Sequence, residues 1–188
     1  MIFMRKLIRY RRRLALTDYK RRVALLKSGC PRVVIRKSNR GIIAQVLEYD
    51  EKGDRVLASA NSKELKGYGW PPHRNLPTAY LTGALLAKKA KALALKPMVL
   101  DTGLYKPIKS SVIFAAAKGC IDAGLKVSFS ASVDESRIRG DHIASYAKLL
   151  AENPERLKRQ FSSYAKGSVD AAGLPSVFDA AKGKIISA

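Results

Sequence analysis

The sequence predicts an α/β chain of the α+β kind. Its mixed sheet opens with a three-stranded antiparallel meander and continues as α-β-α(-β), with a basic arm in front and a helical extension behind. Three observations predict it. Runs rich in β-branched residues alternate with turn signals from Arg32 to Ser59. Two later stretches with apolar residues at steps of three and four are each followed by a short apolar run. Beyond Ser130 the composition becomes polar and helical in pattern. A chain of 188 residues is one domain with an appendage or two small units, here divided as residues 1–27, 28–129 and 130–188. A body of roughly 130 residues buries about two thirds of its surface. With 47% hydrophobic and 7% aromatic residues, its core is built mainly from Val, Ile, Leu and Ala.

The arm carries most of the charge. Between Arg5 and Arg40 lie 14 of the 36 Lys and Arg residues against a single acid, Asp18, so about +13 of the formal +21 sits there. The clusters Arg5-Lys6, Arg9, Arg11-Arg12-Arg13 and Lys20-Arg21-Arg22 are interleaved with Tyr10 and Tyr19, whose rings offer faces to bases or riboses. Like charges at this density repel unless a polyanion intervenes, so Arg5 to Leu16 is expected to stay extended or mobile until bound. A helix is expected over Thr17 to Lys27, capped by Thr17 or Asp18, with Val23, Leu25 and Leu26 docked on the core. Ser28-Gly29 and Pro31 stop it.

The first strand, Arg32 to Lys37, ends at the turn Ser38-Asn39-Arg40-Gly41, and Ile42 to Tyr49 follows. A second turn, Asp50 to Asp54, leads into Arg55 to Ser59. Period-two alternation places Arg32, Val34 and Arg36 on one face and Val33, Ile35 and Lys37 on the other, with the strand ends facing solvent. Residues 60–76 read as an irregular connector, either a loop simply pinned by Trp70 or one whose Trp70 and Arg74 also touch RNA. Gly67-x-Gly69 has no third glycine and no strand feeding into it, so a dinucleotide loop is set aside.

From Thr78 to Leu95 the stripe Ala79, Gly83, Leu86, Ala90 and Leu93 predicts a helix whose small residues allow close approach. Lys96-Pro97 ends it. Met98 to Leu100 is then a short buried strand, parallel to an earlier one because a helix has intervened. Ser110 or Ser111 caps the next helix, with Ile113, Ala117, Cys120 and Gly124 on one face, and Leu125 to Phe129 supplies a further strand. Ser128 to Ser136 is a polar linker. Helices then run from Arg139 to Ala151, with Ile143, Tyr146, Ala147 and Leu150 on one side, and from Asn153-Pro154 through Tyr164.

Composition also excludes classes. No apolar run approaches the roughly 20 residues of a membrane span. Met1 to Leu16 lacks the apolar stretch of a secretory signal, and the basic run continuing to the first strand disfavours a mitochondrial presequence. Cys30 and Cys120 have no partners at metal-ligand spacing and suit a reducing compartment. There is no G-x-x-x-x-G-K-[ST], H-E-x-x-H or G-x-S-x-G motif, so no catalytic residue, metal or cofactor is assigned. Asp101, at the end of a predicted buried strand, reads as a cap beside Thr102-Gly103, and Asp141-His142 as a solvated helix face.

The basic segment is the stronger signal. Guanidinium forks pair bidentately with phosphate, and Ser38 and Asn39 add neutral donors and acceptors. An arm joined to a sheet edge, without a base-reading recognition helix, suits folded RNA better than DNA. The expected RNA-contacting residues are Arg5, Lys6, Arg9, Tyr10, Arg11, Arg12, Arg13, Tyr19, Lys20, Arg21, Arg22, Arg32, Arg36, Lys37, Ser38, Asn39, Arg40, Trp70 and Arg74. The rival reading is a nucleic-acid-processing enzyme whose basic surface delivers substrate to Asp101 or His142.

Lys27 to Asn39, Ala44-Gln45, Leu57 to Ala60, Tyr68-Gly69-Trp70, Asn75 to Gly83, Leu100 to Leu104 and Gly140 to Tyr146 carry a family resemblance. On these stretches the chain resembles, over essentially its whole length, the universal large-subunit ribosomal protein eighteen family. The eukaryotic member of that family is ribosomal protein L five. The resemblance implies a cytoplasmic constituent of the large ribosomal subunit that binds 5S rRNA and anchors it to large-subunit (23S-type) rRNA in the central protuberance. It implies a neighbouring 5S-binding ribosomal protein as partner, and neither a membrane nor a small-molecule substrate. It also implies a small mixed sheet with helices on it, ribonuclease H-like in shape, and RNA contacts by Arg5 to Arg22 and the Arg36 to Arg40 turn. The sequence is more similar to the archaeal form, because the long C-terminal extension of the eukaryotic one is missing. Arg32 and Arg36 stand where a nuclease of that shape would want metal-binding carboxylates, which speaks against hydrolysis.

Overall fold

The structure, a computed structural model, describes residues 14, 16–91, 96–130, 132–162, 164 and 169–186. The first described helix, α1 (Tyr19–Leu26), begins at Asp18, whose carboxylate accepts from the Arg21 amide at 3.1 Å. It buries no residue. Val23, expected on the core, is 54% exposed, because the helix lies against the sheet through its arginines and not through an apolar stripe.

Strands β1 (Arg32–Lys37), β2 (Ile42–Glu48) and β3 (Arg55–Asn61) form the expected antiparallel meander. Strand β4 (Met98–Asp101) pairs parallel with β1, and β5 (Val127–Ser128) parallel with β4, giving the order β3-β2-β1-β4-β5. β1 is thus central. Arg32 to Ile35 are buried, so its N-terminal end is not solvent-facing as alternation alone suggested. The β-branched run tolerates two covered faces because Val and Ile pack well on a pleated surface whichever way they point.

Between β3 and the next helix the chain is more regular than expected. Ser62–Tyr68 is a 3₁₀ segment, capped by Asn61 on the Lys63 amide at 3.0 Å while Glu64 accepts from the Asn61 amide at 3.1 Å. Trp70 follows, 1% exposed. Its indole N–H donates to Thr78 Oγ1 at 2.8 Å, and its ring meets Phe178 edge-on at 5.9 Å.

Helix α2 (Leu76–Lys89) starts on the Asn75 side chain, with Pro77 in its first turn, and is buried continuously from Leu76 to Ala87. The expected stripe of Ala79, Gly83 and Leu86 is therefore one side of a helix enclosed all round; Leu93 lies outside the described residues. Helix α3 (Val112–Asp122), capped by Ser111, packs against α2 closely enough that two glycines are required. A Cβ on Gly83 would stand 2.0 Å from the Ala116 carbonyl oxygen, and one on Gly119 2.1 Å from that of Tyr80. The core is this helix pair against Val33, Ile35, Ile42, Ala44 and Val46 of the sheet.

The C-terminal segment shares that core. Helices α4 (Glu135–Arg139) and α5 (Asp141–Leu149) meet at Gly140, which adopts φ +90° in the left-handed region that favours glycine. The expected polar linker is thus interrupted by β5 at its start and α4 at its end, and α5 begins two residues later than periodicity suggested. Tyr146 is 41% exposed rather than on the buried side. Helix α6 (Pro154–Gln160) stops short of Tyr164, where the Phe161 ring sits between those of Tyr146 and Tyr164 at 6.0 and 5.8 Å. Helix α7 (Leu174–Ile186), not foreseen as a separate element, buries Leu174, Phe178, Ala181 and Ile185 in the core cluster around α2. Among the described residues no helix is long and apolar enough to cross a membrane.

Candidate nucleic-acid interface

The sheet face turned away from α2 and α3 carries the basic site. Arg32, Val34 and Arg36 share it, level with Leu47, Gln45 and Ile43 of β2. Helix α1 and the loop after β4 close over its β4 side, leaving a cleft of about 520 Å³. The cleft is organised by a chain of charge. Arg32, 3% exposed, donates from Nη1 to Asp101 Oδ2 at 2.8 Å and from Nη2 to Asp54 Oδ2 at 2.7 Å. Asp54 also accepts from Arg22 Nη2 at 2.9 Å. Arg21 donates to Thr102 Oγ1 at 2.7 Å and to the Gly103 carbonyl at 3.1 Å, and the second Asp101 oxygen accepts from the Gly103 amide at 2.9 Å. The result is a helix fastened to a sheet by hydrogen-bonded ion pairs, which hold geometry well but gain little net energy where water reaches them.

The expected contact residues divide sharply. Arg5, Lys6, Arg9, Tyr10, Arg11, Arg12 and Arg13 lie outside the described residues. Lys20 is exposed on α1, with Tyr19, Arg21 and Arg22 half-buried beside it. Arg36, Ser38, Asn39 and Arg40 are exposed at the end of the β1–β2 hairpin. Ser38 is partly engaged there: its hydroxyl donates to the Gly41 carbonyl and accepts from the Gly41 amide, both at 3.1 Å, which closes the turn and leaves Asn39 and Arg40 outermost. Lys37 holds its ammonium 4.9 Å from the Tyr105 ring, while the Tyr105 hydroxyl donates to the Lys37 carbonyl at 2.9 Å. Arg74 is exposed in the loop before α2, apart from the cleft.

Two residues need correction. Arg32 is a buried structural cation with both Nη groups committed to carboxylates, so it is not a surface phosphate contact. Trp70 is a core residue, hidden because its N–H has a partner in Thr78 and its ring one in Phe178, and it has no face to offer a base.

Sequence reasoning missed Asp54, Thr102, Gly103 and Tyr105 as parts of this site. The meander register held the signal for Asp54: pairing Leu47 with Arg32 and Glu48 with Arg55 returns the chain to the N-terminal end of β1. Of the two candidate catalytic groups, Asp101 lies in this cleft and His142 does not. Asp101 is taken up by Arg32 and the Gly103 amide, the capping role read from sequence. His142 stands exposed on α5, its pKa lowered by partial burial and by the nearby Arg137 charge. Among the described residues no group of three or more His, Cys, Asp and Glu could hold a metal ion.

Fold and site together define a class: a mixed α/β protein with a cationic helix and hairpin end beside a cleft. Comparison with known proteins gives the family. Residues 4–97 match the family described as ribosomal large subunit proteins 60S L5 and 50S L18. The chain is 47% identical over 179 residues to the large ribosomal subunit protein uL18 of Thermofilum pendens, covering 93% of this chain and 91% of that one. It is 48% identical over 172 residues to uL18 of Korarchaeum cryptofilum, covering 90% and 88%. The chain belongs to the ribosomal L5/L18 family of the large subunit. It is a structural constituent of that subunit and not an enzyme.

Proposed function

We propose that this chain binds 5S rRNA and anchors it to the large-subunit rRNA in the central protuberance, beside a second 5S-binding ribosomal protein. The basic arm from Arg5 to Arg22 and the hairpin end from Arg36 to Arg40 make the contacts. The observation that carries this reading is the charge distribution: about +13 between Arg5 and Arg40 with Asp18 as the sole acid. Within the fold, Asp54 and Asp101 neutralise Arg22 and Arg32 at the back of the cleft, whereas Arg36 and Arg40 have no carboxylate partner among the described residues. Their charge is left for phosphate. Binding is then strongly salt-dependent, because each neutralised phosphate releases counter-ions.

Titration of 5S rRNA against the purified protein over a salt series tests the proposal. Arg36→Ala and Lys37→Ala are each expected to weaken binding and to flatten the log-log salt dependence by roughly 0.7 to 0.9 per lost phosphate contact. A folded protein that ignores 5S rRNA at moderate ionic strength overturns it.

A further inference from the structure

We propose that the cleft between α1 and the sheet receives a single unpaired nucleotide of the bound RNA. This rests on the RNA-binding reading above and names which part of the RNA the fold selects. Three observations carry it.

The first is size. A cleft of about 520 Å³ falls within the range of small-ligand pockets and admits one nucleotide, while a base-paired helix is far too wide to enter. Sequence-specific recognition of RNA works on unstacked bases splayed from loops and bulges.

The second is a donor without an acceptor. Arg32 lines the cleft at 3% exposure with both Nη groups engaged, yet its Nε has no partner. A buried N–H left unmade costs on the order of 1–3 kcal/mol, and more on a charged group; because the Nε is itself closed to solvent, an acceptor on a ligand relieves that cost only once the guanidinium shifts toward the cleft. Nucleobase carbonyls and ring nitrogens are acceptors of that kind.

The third is the division of the wall. Val34 and Leu47 line it but are only 5% and 6% exposed, so the apolar surface left open to a base is mainly that of Leu16 and Leu104. Those two residues line it at 51% and 58% exposure, one ahead of α1 and one on the loop after β4. Arg36 stands exposed on the same wall with no carboxylate partner among the described residues, in place for the phosphate that follows the base. Of the three carboxylates lining the cleft, Asp54 and Asp101 are already paired with Arg22 and Arg32, and Asp18 caps α1 on the Arg21 amide.

The test is photochemical and uses the full chain. With p-benzoylphenylalanine installed at Leu104, a solvent-exposed position, the protein is bound to 5S rRNA, irradiated, and the attached nucleotide is mapped by primer extension. The expected result is attachment at one unpaired nucleotide of a loop or bulge. Attachment to paired helix, or scattered attachment, overturns the proposal. A gel shift on the same sample separates the failures: a complex without attachment at this position sinks the cleft alone, whereas no complex with wild-type protein sinks the RNA-binding reading as well. In a second arm, Leu104→Ala removes exposed apolar surface from the cleft lining without adding charge. It is expected to weaken 5S rRNA binding about tenfold with the salt slope unchanged, the scale of losing one stacked base. Wild-type affinity in that variant overturns the proposal.

Discussion

The two faces of the sheet are held by different physics. On one, α2 and α3 meet so closely that Gly83 and Gly119 have no room for a Cβ, and the contact is made of Ala, Leu, Ile and backbone. On the other, α1 buries nothing and is fastened by Arg21 on Thr102 and Gly103 and by Arg22 on Asp54. Apolar fit does not respond to dilute salt or to a polyanion; an ion pair responds to both. The difference teaches where this protein can adapt. The helix face is a fixed frame, and the cleft face is an arrangement of charges that phosphate can join or compete with.

The contrast is broken most directly on the helix face. Gly119→Val puts a branched side chain where the Tyr80 carbonyl stands 2.1 Å from a Cβ, and thermal melting should show a loss of about 3 kcal/mol or more. A melting curve like that of the wild type would mean α2 and α3 are less tightly apposed than described.

Next comes the one strong element of the cleft face. Arg32→Met removes the cation between Asp54 and Asp101 and leaves two half-buried carboxylates short of a partner, at a cost of about 3 kcal/mol in urea unfolding. Adding Asp101→Asn in the same chain should recover part of that loss, because one uncompensated charge is gone. No recovery would point to packing rather than charge.

A smaller effect sharpens the comparison. Arg22→Ala removes the α1 link to Asp54 while Arg32 keeps that carboxylate paired, so tryptic cleavage at Lys20 should rise about two- to fivefold, the scale of a partly exposed ion pair. High salt should do the same to the wild type and leave hydrogen exchange in α2 and α3 unchanged.

The smallest effect concerns His73, whose ring lies 4.3 Å from that of Tyr164 and whose Nε2 is buried without a partner. Burial lowers its pKa below 6.5, so the unfolded chain takes up a proton before the folded one does. Stability should therefore fall as pH drops below 6.5 and level once the folded imidazole is itself charged, with no contribution at higher pH. His73→Phe should narrow the difference in urea midpoint between about pH 7.5 and about pH 5.5. An unchanged difference would assign the acid sensitivity to other groups.

What was legible in the sequence is what neighbouring residues decide among themselves. The β1–β2 hairpin was legible because β-branched residues flank a Ser-Asn-Arg-Gly turn, and α3 because Ser111 stands immediately before an apolar period. The parallel placement of β4 followed from an intervening helix. Val23 and Tyr146 were not legible, nor was what covers Trp70, because whether a large side chain is covered depends on elements far away in sequence. Trp70 is covered by α7, which begins more than 100 residues later. Arg32 was misread for the same reason: a cation on a strand declares its charge but not its counter-charge, and here Asp54 and Asp101 arrive from two separate turns.

The sequence by itself determined the electrostatics and the local elements. Net charge is additive along a chain, and caps, turns and periodicities act over a few residues, so a strongly basic stretch ahead of a meander could be stated without coordinates. The tertiary structure alone decided which cations are spent inside the fold and which remain outside it. It also decided that α7 closes the core over Trp70 and that α1 roofs a cleft beside the hairpin. Those outcomes depend on pairings between distant segments, and a side chain's availability is set by the partner that reaches it, not by its own chemistry.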